Sequence, residues 1–131
     1  MIILDTNAYS QLQKGDFLVK KEILSSSLTL ISSISLGELY RGFKIGSKET
    51  FNNKALDNFL KGRNIRVIDV SRKTSKIYGE ISSLLRKQGT PLPINDIWIA
   101  ASAIETNSTL VTYDKHFLSI PHLKLWNGIK K

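Results

Sequence analysis

The chain has 131 residues, a length typical of one domain, and carries 19 lysine and arginine residues against 11 aspartates and glutamates. It contains no cysteine, which excludes disulfides, zinc–thiolate sites and thiol nucleophiles. The formal net charge of +8 favours a polyanionic partner such as RNA, DNA or an acidic protein. A basic protein that binds no polyanion would have the same composition, so charge alone does not decide between these classes.

The sequence predicts neither a membrane span nor a secretory leader. No apolar run approaches the roughly 18 residues that a transmembrane helix needs. The first five residues, MIILD, have no basic stretch, and their apolar run is too short for a signal peptide. We therefore expect a cytoplasmic protein, which the absence of cysteine also favours.

Strand-like and helix-like segments alternate along the chain, a pattern typical of an α/β fold with a mainly parallel sheet. The helices are indicated by apolar residues three and four positions apart, and their ends by capping residues such as Ser71 and Gly89. In chain order we predict a strand at residues 2–4, a helix at 16–24, a strand at 28–32, helices at 35–44 and 48–60, a strand at 65–70, a helix at 71–87, a buried helix at 95–106, a strand at 109–112 and a weaker fifth strand at 123–126. No linker or repeat divides residues 1–131, so we expect a single domain.

Four carboxylates occupy related places in this pattern. Asp5 follows the first strand, Glu38 lies one turn into the helix after the second, Asp96 opens the buried helix, and Asp114 lies just past the fourth strand. Strand ends and the helix starts that follow them share one edge of a parallel sheet, where ligands bind. Bare carboxylates so close together would repel, and a hard cation such as Mg²⁺ or Mn²⁺ would relieve the repulsion. Asp69 lies inside a predicted strand and is interpreted as structural.

Each of these carboxylates also has a structural alternative. Asp5 could accept backbone N–H groups in a turn, and Asp114 could be an ordinary turn residue. Glu38 fits a capping box with Ser35, and Asp96 could simply favour the positive end of its helix. The metal-site hypothesis therefore depends on all four lying at the same edge.

At these positions the sequence resembles the PIN-domain family, and specifically the VapC-type toxins of bacterial toxin–antitoxin pairs. The similarity extends over nearly the whole chain and keeps the order of the family's motifs. The matching segments are ILDTN at residues 3–7, SLGELYRG at 35–42, IYGEI at 77–81, NDIWIAA at 95–101 and LVTYDKHF at 110–117.

The resemblance implies a three-layer α/β/α fold with a mainly parallel central sheet of four to five strands. It also implies a metal-dependent endoribonuclease that uses Mg²⁺ or Mn²⁺ and leaves 5′-phosphate and 3′-hydroxyl ends. The family's acidic set corresponds to Asp5, Glu38, Asp96 and Asp114; we expect the metal on Asp5, Asp96 and Asp114, with Glu38 at the rim. Nearby polar residues that we expect to support ligands or water are Thr6, Asn7, Asn95 and Thr112.

The resemblance further implies RNA as substrate, with tRNA or rRNA as the target that blocks translation. It implies a homodimer and a cognate antitoxin, which should be acidic because this chain is basic. Arg41 and Lys44 follow Glu38 by three and six residues, so they are candidates to contact RNA phosphates; a solvated helix face is the alternative.

Two other function classes compete with this prediction. A response-regulator receiver domain is also a small α/β domain with a carboxylate metal site, but it needs an acidic pair after the first strand, and here Thr6 and Asn7 follow Asp5. A basic RNA-binding module without catalysis would leave four carboxylates at the edge expected to face phosphate. Added divalent metal separates the two RNA-directed hypotheses, because only the nuclease would then cleave RNA.

Overall fold

The computed structural model describes residues 1–129 and contains a parallel sheet flanked by helices. The four strands are β1 (Ile2–Leu4), β2 (Thr29–Ser32), β3 (Ile65–Ile68) and β4 (Thr109–Val111). The six α-helices are α1 (Thr6–Gln13), α2 (Phe17–Ser25), α3 (Ser33–Ile45), α4 (Glu49–Leu60), α5 (Arg72–Gln88) and α6 (Ile94–Glu105). A short 3₁₀ helix, Lys115–Ser119, follows β4.

The strands lie in the order β3-β2-β1-β4, and every pair is parallel. Ile3 pairs with Leu30 on one side and with Leu110 on the other, so β1 lies inside the sheet. All four strands therefore end at the same edge. The residues that follow β1, β2 and β4 are thus brought together although they are far apart in sequence.

Side chains alternate between two cores, one on each face of the sheet. Ile3, Leu30 and Leu110 pack into a core with residues of α5 and α6, including Leu85 and Ile99. On the other face a second core contains residues of α1 to α4; its strand and helix members include Leu4, Ile31, Val111, Tyr9 and Leu56. This arrangement confirms the predicted three-layer α/β/α fold with a parallel sheet of four strands.

The first helix and one helix start differ from the sequence prediction. Helix α1 was not predicted from the sequence; the Asp5 carboxylate caps this helix by accepting the Ala8 N–H. Helix α3 begins two residues earlier than expected, and its N-cap is Ser32, whose hydroxyl accepts the Ile34 N–H. Ser35 is therefore inside the helix, and the capping box with Ser35 that was the structural alternative for Glu38 does not form.

The predicted fifth strand is reduced to a single bridge. Leu125 forms an isolated parallel bridge with Leu110, and within the part of the chain that the structure covers no longer strand forms there. Strand β3 ends at Ile68, so Asp69 lies just past its end rather than inside it, and it is exposed. Among residues 1–129 we find no helix that combines the length and apolar character needed to cross a membrane.

Candidate active site

Four carboxylates line one cavity at the carboxyl-terminal edge of the sheet. The cavity has a volume of about 260 Å³, and its walls are Asp5, Thr6, Asn7, Ser10, Glu38, Asp96 and Asp114. Asp5 and Asp114 follow the ends of β1 and β4, Glu38 comes from the helix that follows β2, and Asp96 lies in the first turn of α6, as the alternating pattern predicted. Asp5 and Asp96 therefore face the same space.

Asp5 is held rigidly at the floor of the cavity. Only 5% of its surface is exposed, and each carboxylate oxygen has its own donor. Oδ1 accepts the Ala8 N–H at 2.8 Å, and Oδ2 accepts the Thr112 hydroxyl at 2.5 Å. The capping role that sequence analysis offered as an alternative thus coexists with a place in the cluster, because capping uses only one of the two oxygens.

Thr112 links Asp5 to the opposite wall. Its side chain is fully buried, and the hydroxyl that donates to Asp5 also accepts the Asp114 N–H at 3.0 Å. The Asp114 carboxylate in turn accepts the His116 N–H at 2.9 Å and lies 3.2 Å from the imidazole Nδ1 of His116. One hydroxyl therefore fixes the relative placement of two of the four acids.

Two polar neighbours orient Glu38. The Thr6 hydroxyl donates to Oε1 at 2.5 Å, and the Asn95 side-chain amide donates to Oε2 at 3.3 Å. These contacts connect α3 to α1 and to the first turn of α6. Three of the four polar residues expected to support the ligands, Thr6, Asn95 and Thr112, contact a carboxylate of the cluster, and the fourth, Asn7, lines the cavity.

Burial, together with the charges of neighbouring carboxylates, raises the pKa of two of the four acids. Burial raises the pKa of Asp5, and the charges of Asp114 and Glu38 add to that rise, whereas hydrogen bonds from Thr112 and Ala8 oppose it. The pKa of Asp96 is raised to about 6, first by burial and then by the charges of Asp114, Glu38 and Asp5, while His116 acts in the opposite direction. Mutual repulsion of this kind is what a bound cation would relieve.

The donor set fits a hard divalent cation. Every ligand candidate is an oxygen, as Mg²⁺ and Mn²⁺ prefer, and the cavity has room for water and a phosphate oxygen beside the metal. In the described residues no three acidic or histidine side chains converge closely enough to bind an ion as they stand. The carboxylates therefore surround a common space rather than form a closed set of ligands.

The remaining predicted residues lie outside the cavity wall. Arg41 and Lys44 are exposed on α3, and Lys44 pairs with Glu49 at 3.3 Å. Ser10 lines the cavity but was not predicted, because its position one turn after Thr6 has meaning only once α1 is known to be a helix. His116, to which sequence analysis gave no role, contacts Asp114.

Comparison with known proteins identifies the family of this chain. Residues 2–123 match the PIN domain family. The chain is 41% identical to ribonuclease VapC2 of Rickettsia felis over 111 residues, covering 83% of this chain and 81% of that protein. It is 31% identical over 127 residues to ribonuclease VapC1 of Haemophilus influenzae strain R2866, with 93% of each covered.

A solved structure shows the same architecture. The crystal structure of VapBC2 from Rickettsia felis, bound to a DNA fragment from its promoter, superposes with a TM-score of 0.87 at 35% identity, covering 96% of this chain and 98% of that one. The chain belongs to the PIN-domain family and, within it, to the VapC ribonucleases.

Proposed function

We propose that this protein is a metal-dependent endoribonuclease that hydrolyses RNA phosphodiester bonds and is the toxin of a toxin–antitoxin pair. The observation that carries the proposal is the meeting of Asp5, Glu38, Asp96 and Asp114 in one cavity at the carboxyl-terminal edge of the sheet. The raised pKa of Asp5 and of Asp96 supports it, because perturbed carboxylates cluster at functional sites. The similarity to VapC ribonucleases supplies the reaction class.

In this proposal Asp5, Asp96 and Asp114 hold Mg²⁺ or Mn²⁺, and Glu38 lies at the rim. When bound, the ion supplies an activated water and neutralises charge that develops on the phosphate. The chain's own polar residues keep the carboxylates in place: Thr112 holds Asp5, and Thr6 holds Glu38. A rigid arrangement matters because metal affinity depends on ligands that are already oriented.

Outside the cavity, we propose that basic side chains at the surface of the protein contact the RNA phosphates. The net charge of +8 attracts phosphate, and Arg41 and Lys44 project from the same helix as Glu38. The pair between Lys44 and Glu49 is exposed, so it contributes little and leaves the lysine available to a phosphate. In this proposal the substrate is tRNA or rRNA, and its cleavage blocks translation.

A cognate acidic antitoxin is the proposed partner, and the toxin itself is proposed to be a cytoplasmic homodimer. The similarity to VapBC2 supports the partner, and the basic charge of this chain explains why that partner should be acidic. Co-expression with the neighbouring small gene product should yield a complex in which RNA cleavage is inhibited. Absence of both binding and inhibition would count against this partner, and light scattering of the free toxin would test the dimer.

The experiment that tests the nuclease proposal is RNA cleavage with and without divalent metal. The purified protein should cleave cellular RNA in Mg²⁺ or Mn²⁺, stop in EDTA and leave 5′-phosphate ends. Asp96→Asn should be folded and inactive, whereas Asp69→Asn, which removes an exposed carboxylate outside the cavity, should cleave normally. Metal-independent RNA binding without cleavage would instead identify an RNA-binding module.

A further inference from the structure

The chain after the 3₁₀ helix returns to the sheet and brings Trp126 into contact with Thr112, next to the candidate site. Its backbone follows β4: the Leu110 N–H donates to the Lys124 carbonyl at 2.8 Å, and the Trp126 N–H donates to the Leu110 carbonyl at 3.1 Å. The Trp126 side chain is 4% exposed and packs in the core on the α1-to-α4 face of the sheet. This segment therefore fixes the indole against the end of β4.

The indole contacts the residue that links two of the carboxylates. Its Nε1–H donates to the backbone carbonyl of Thr112 at 2.7 Å, and this hydrogen bond is buried. Through its side-chain hydroxyl, Thr112 donates to the Asp5 carboxylate and accepts the Asp114 backbone N–H. A change in the orientation of the Thr112 peptide would therefore reach both acids at once.

The position of the indole is itself tightly determined. Tyr113 packs edge-on against it, with ring centroids 5.4 Å apart and planes at 72°, and the Tyr113 hydroxyl donates to Asp16 at 2.7 Å. Gly128 lies so close to the ring that a Cβ at that position would be 2.6 to 2.8 Å from three of its atoms. Only glycine leaves room for the ring at this point, so any side chain at position 128 would displace it.

We propose that Trp126 is a positioning residue for the metal site, acting through Thr112 on Asp5 and Asp114. Without the indole N–H, the buried Thr112 carbonyl has lost its donor, and the peptide must turn or admit water to recover one. The Thr112 hydroxyl can then no longer donate to Asp5 and accept the Asp114 N–H at the same time. This inference rests on the proposed metal-dependent function, which it extends by a residue that does not touch the cavity.

The test is the affinity of the folded protein for Mn²⁺, measured by calorimetry or by the electron paramagnetic resonance signal of free Mn²⁺. Trp126→Phe keeps an aromatic ring but removes the N–H, and it should weaken Mn²⁺ binding about 10-fold, the lower end of the range for residues behind metal ligands. Gly128→Ala keeps the N–H but displaces the ring, and it should weaken binding in the same direction. RNA cleavage by either variant should recover when Mn²⁺ is raised.

Trp98→Phe is the matched control. Trp98 stacks on Tyr78 with centroids 4.0 Å apart and lies outside the cavity wall, so the same substitution there should leave Mn²⁺ affinity unchanged. If the wild type binds Mn²⁺ and both folded variants bind it equally well, the positioning role is overturned while the nuclease proposal stands. If Trp126→Phe does not fold, Gly128→Ala decides alone. A wild type that binds no Mn²⁺ overturns both proposals.

Discussion

Replacement of Asp96 by asparagine should stabilise the metal-free protein at neutral pH and abolish its stabilisation by Mn²⁺. Burial and three neighbouring carboxylates raise the pKa of Asp96 from its ordinary 3.8 to about 6. Because the pKa of Asp96 is higher in the folded state than in the unfolded chain, the folded state holds, between about pH 4 and pH 6, a proton that the unfolded chain has lost. The contribution of this group to the free energy of unfolding therefore falls as the pH rises through that window.

The size of the effect follows from the same values. A rise of the pKa from 3.8 to about 6 corresponds to about 3 kcal/mol at about 1.4 kcal/mol per pH unit. Asp96 is only half-buried, so solvent screening reduces this to about 1–2 kcal/mol. For a chain of this size, each kcal/mol moves the melting temperature by about 4 °C. In EDTA at pH 7, Asp96→Asn should therefore melt about 4–8 °C above the wild type, and at pH 4 the two should nearly coincide.

Mn²⁺ should reverse this order. At a metal concentration 100 times the dissociation constant, the wild type should gain about 2.7 kcal/mol, whereas Asp96→Asn should gain little. The assay is thermal unfolding followed by circular dichroism at pH 4 and pH 7, with EDTA and with Mn²⁺. Asp69→Asn is the control, because this exposed aspartate does not line the cavity and should change neither response. A variant that is no more stable than the wild type in EDTA at pH 7, or one that Mn²⁺ still stabilises fully, would refute the reasoning.

Two further substitutions test the site and the surrounding fold separately. Thr112→Val removes the hydroxyl that donates to Asp5. RNA cleavage should fall at least about 10-fold, and the free energy of unfolding in urea should drop by about 1–2 kcal/mol. Cleavage at the wild-type rate would contradict the role of Thr112 in linking Asp5 to Asp114. Glu105→Gln weakens the contacts that α6 makes with the Ser71 and Thr74 hydroxyls at the start of α5. It should lower the free energy of unfolding by about 1 kcal/mol. Titration of the folded variant with Mn²⁺ should show an unchanged affinity.

The parts of the fold that could be predicted are those with strong local signals. Helix α5 was predicted nearly to its ends, because Ser71 caps its start and Gly89 ends it in the left-handed conformation, with a φ of 73°. The short β1 is almost fully buried on both faces, so its continuous apolar run was sufficient. Helix α1 was missed because its polar sequence carries little periodic signal; in the folded protein it is stabilised by the capping by Asp5 and by the burial of Ala8 and Tyr9.

The carboxylate cluster could be predicted because parallel strands end at a common edge of the sheet. A residue that follows a predicted strand, or lies near the start of the next helix, is therefore expected at that edge. The internal contacts of the cluster could not be predicted. The hydrogen bond from Thr112 to Asp5 joins residues 107 positions apart, and that from Trp126 to Thr112 depends on a segment that is not a strand. Neither contact leaves a periodic or spacing signal, because the packing of the whole domain decides which side chains meet.

The most direct test of the metal site is anomalous diffraction from crystals soaked in Mn²⁺. We predict a peak within coordination distance of carboxylate oxygens of Asp5 and Asp96, with Asp114 beside it and Glu38 at the rim, and we predict that this peak disappears in crystals of Asp96→Asn. A protein that cleaves RNA in Mn²⁺ but whose crystals bind the ion elsewhere, or bind it equally without the Asp96 carboxylate, would contradict the assignment.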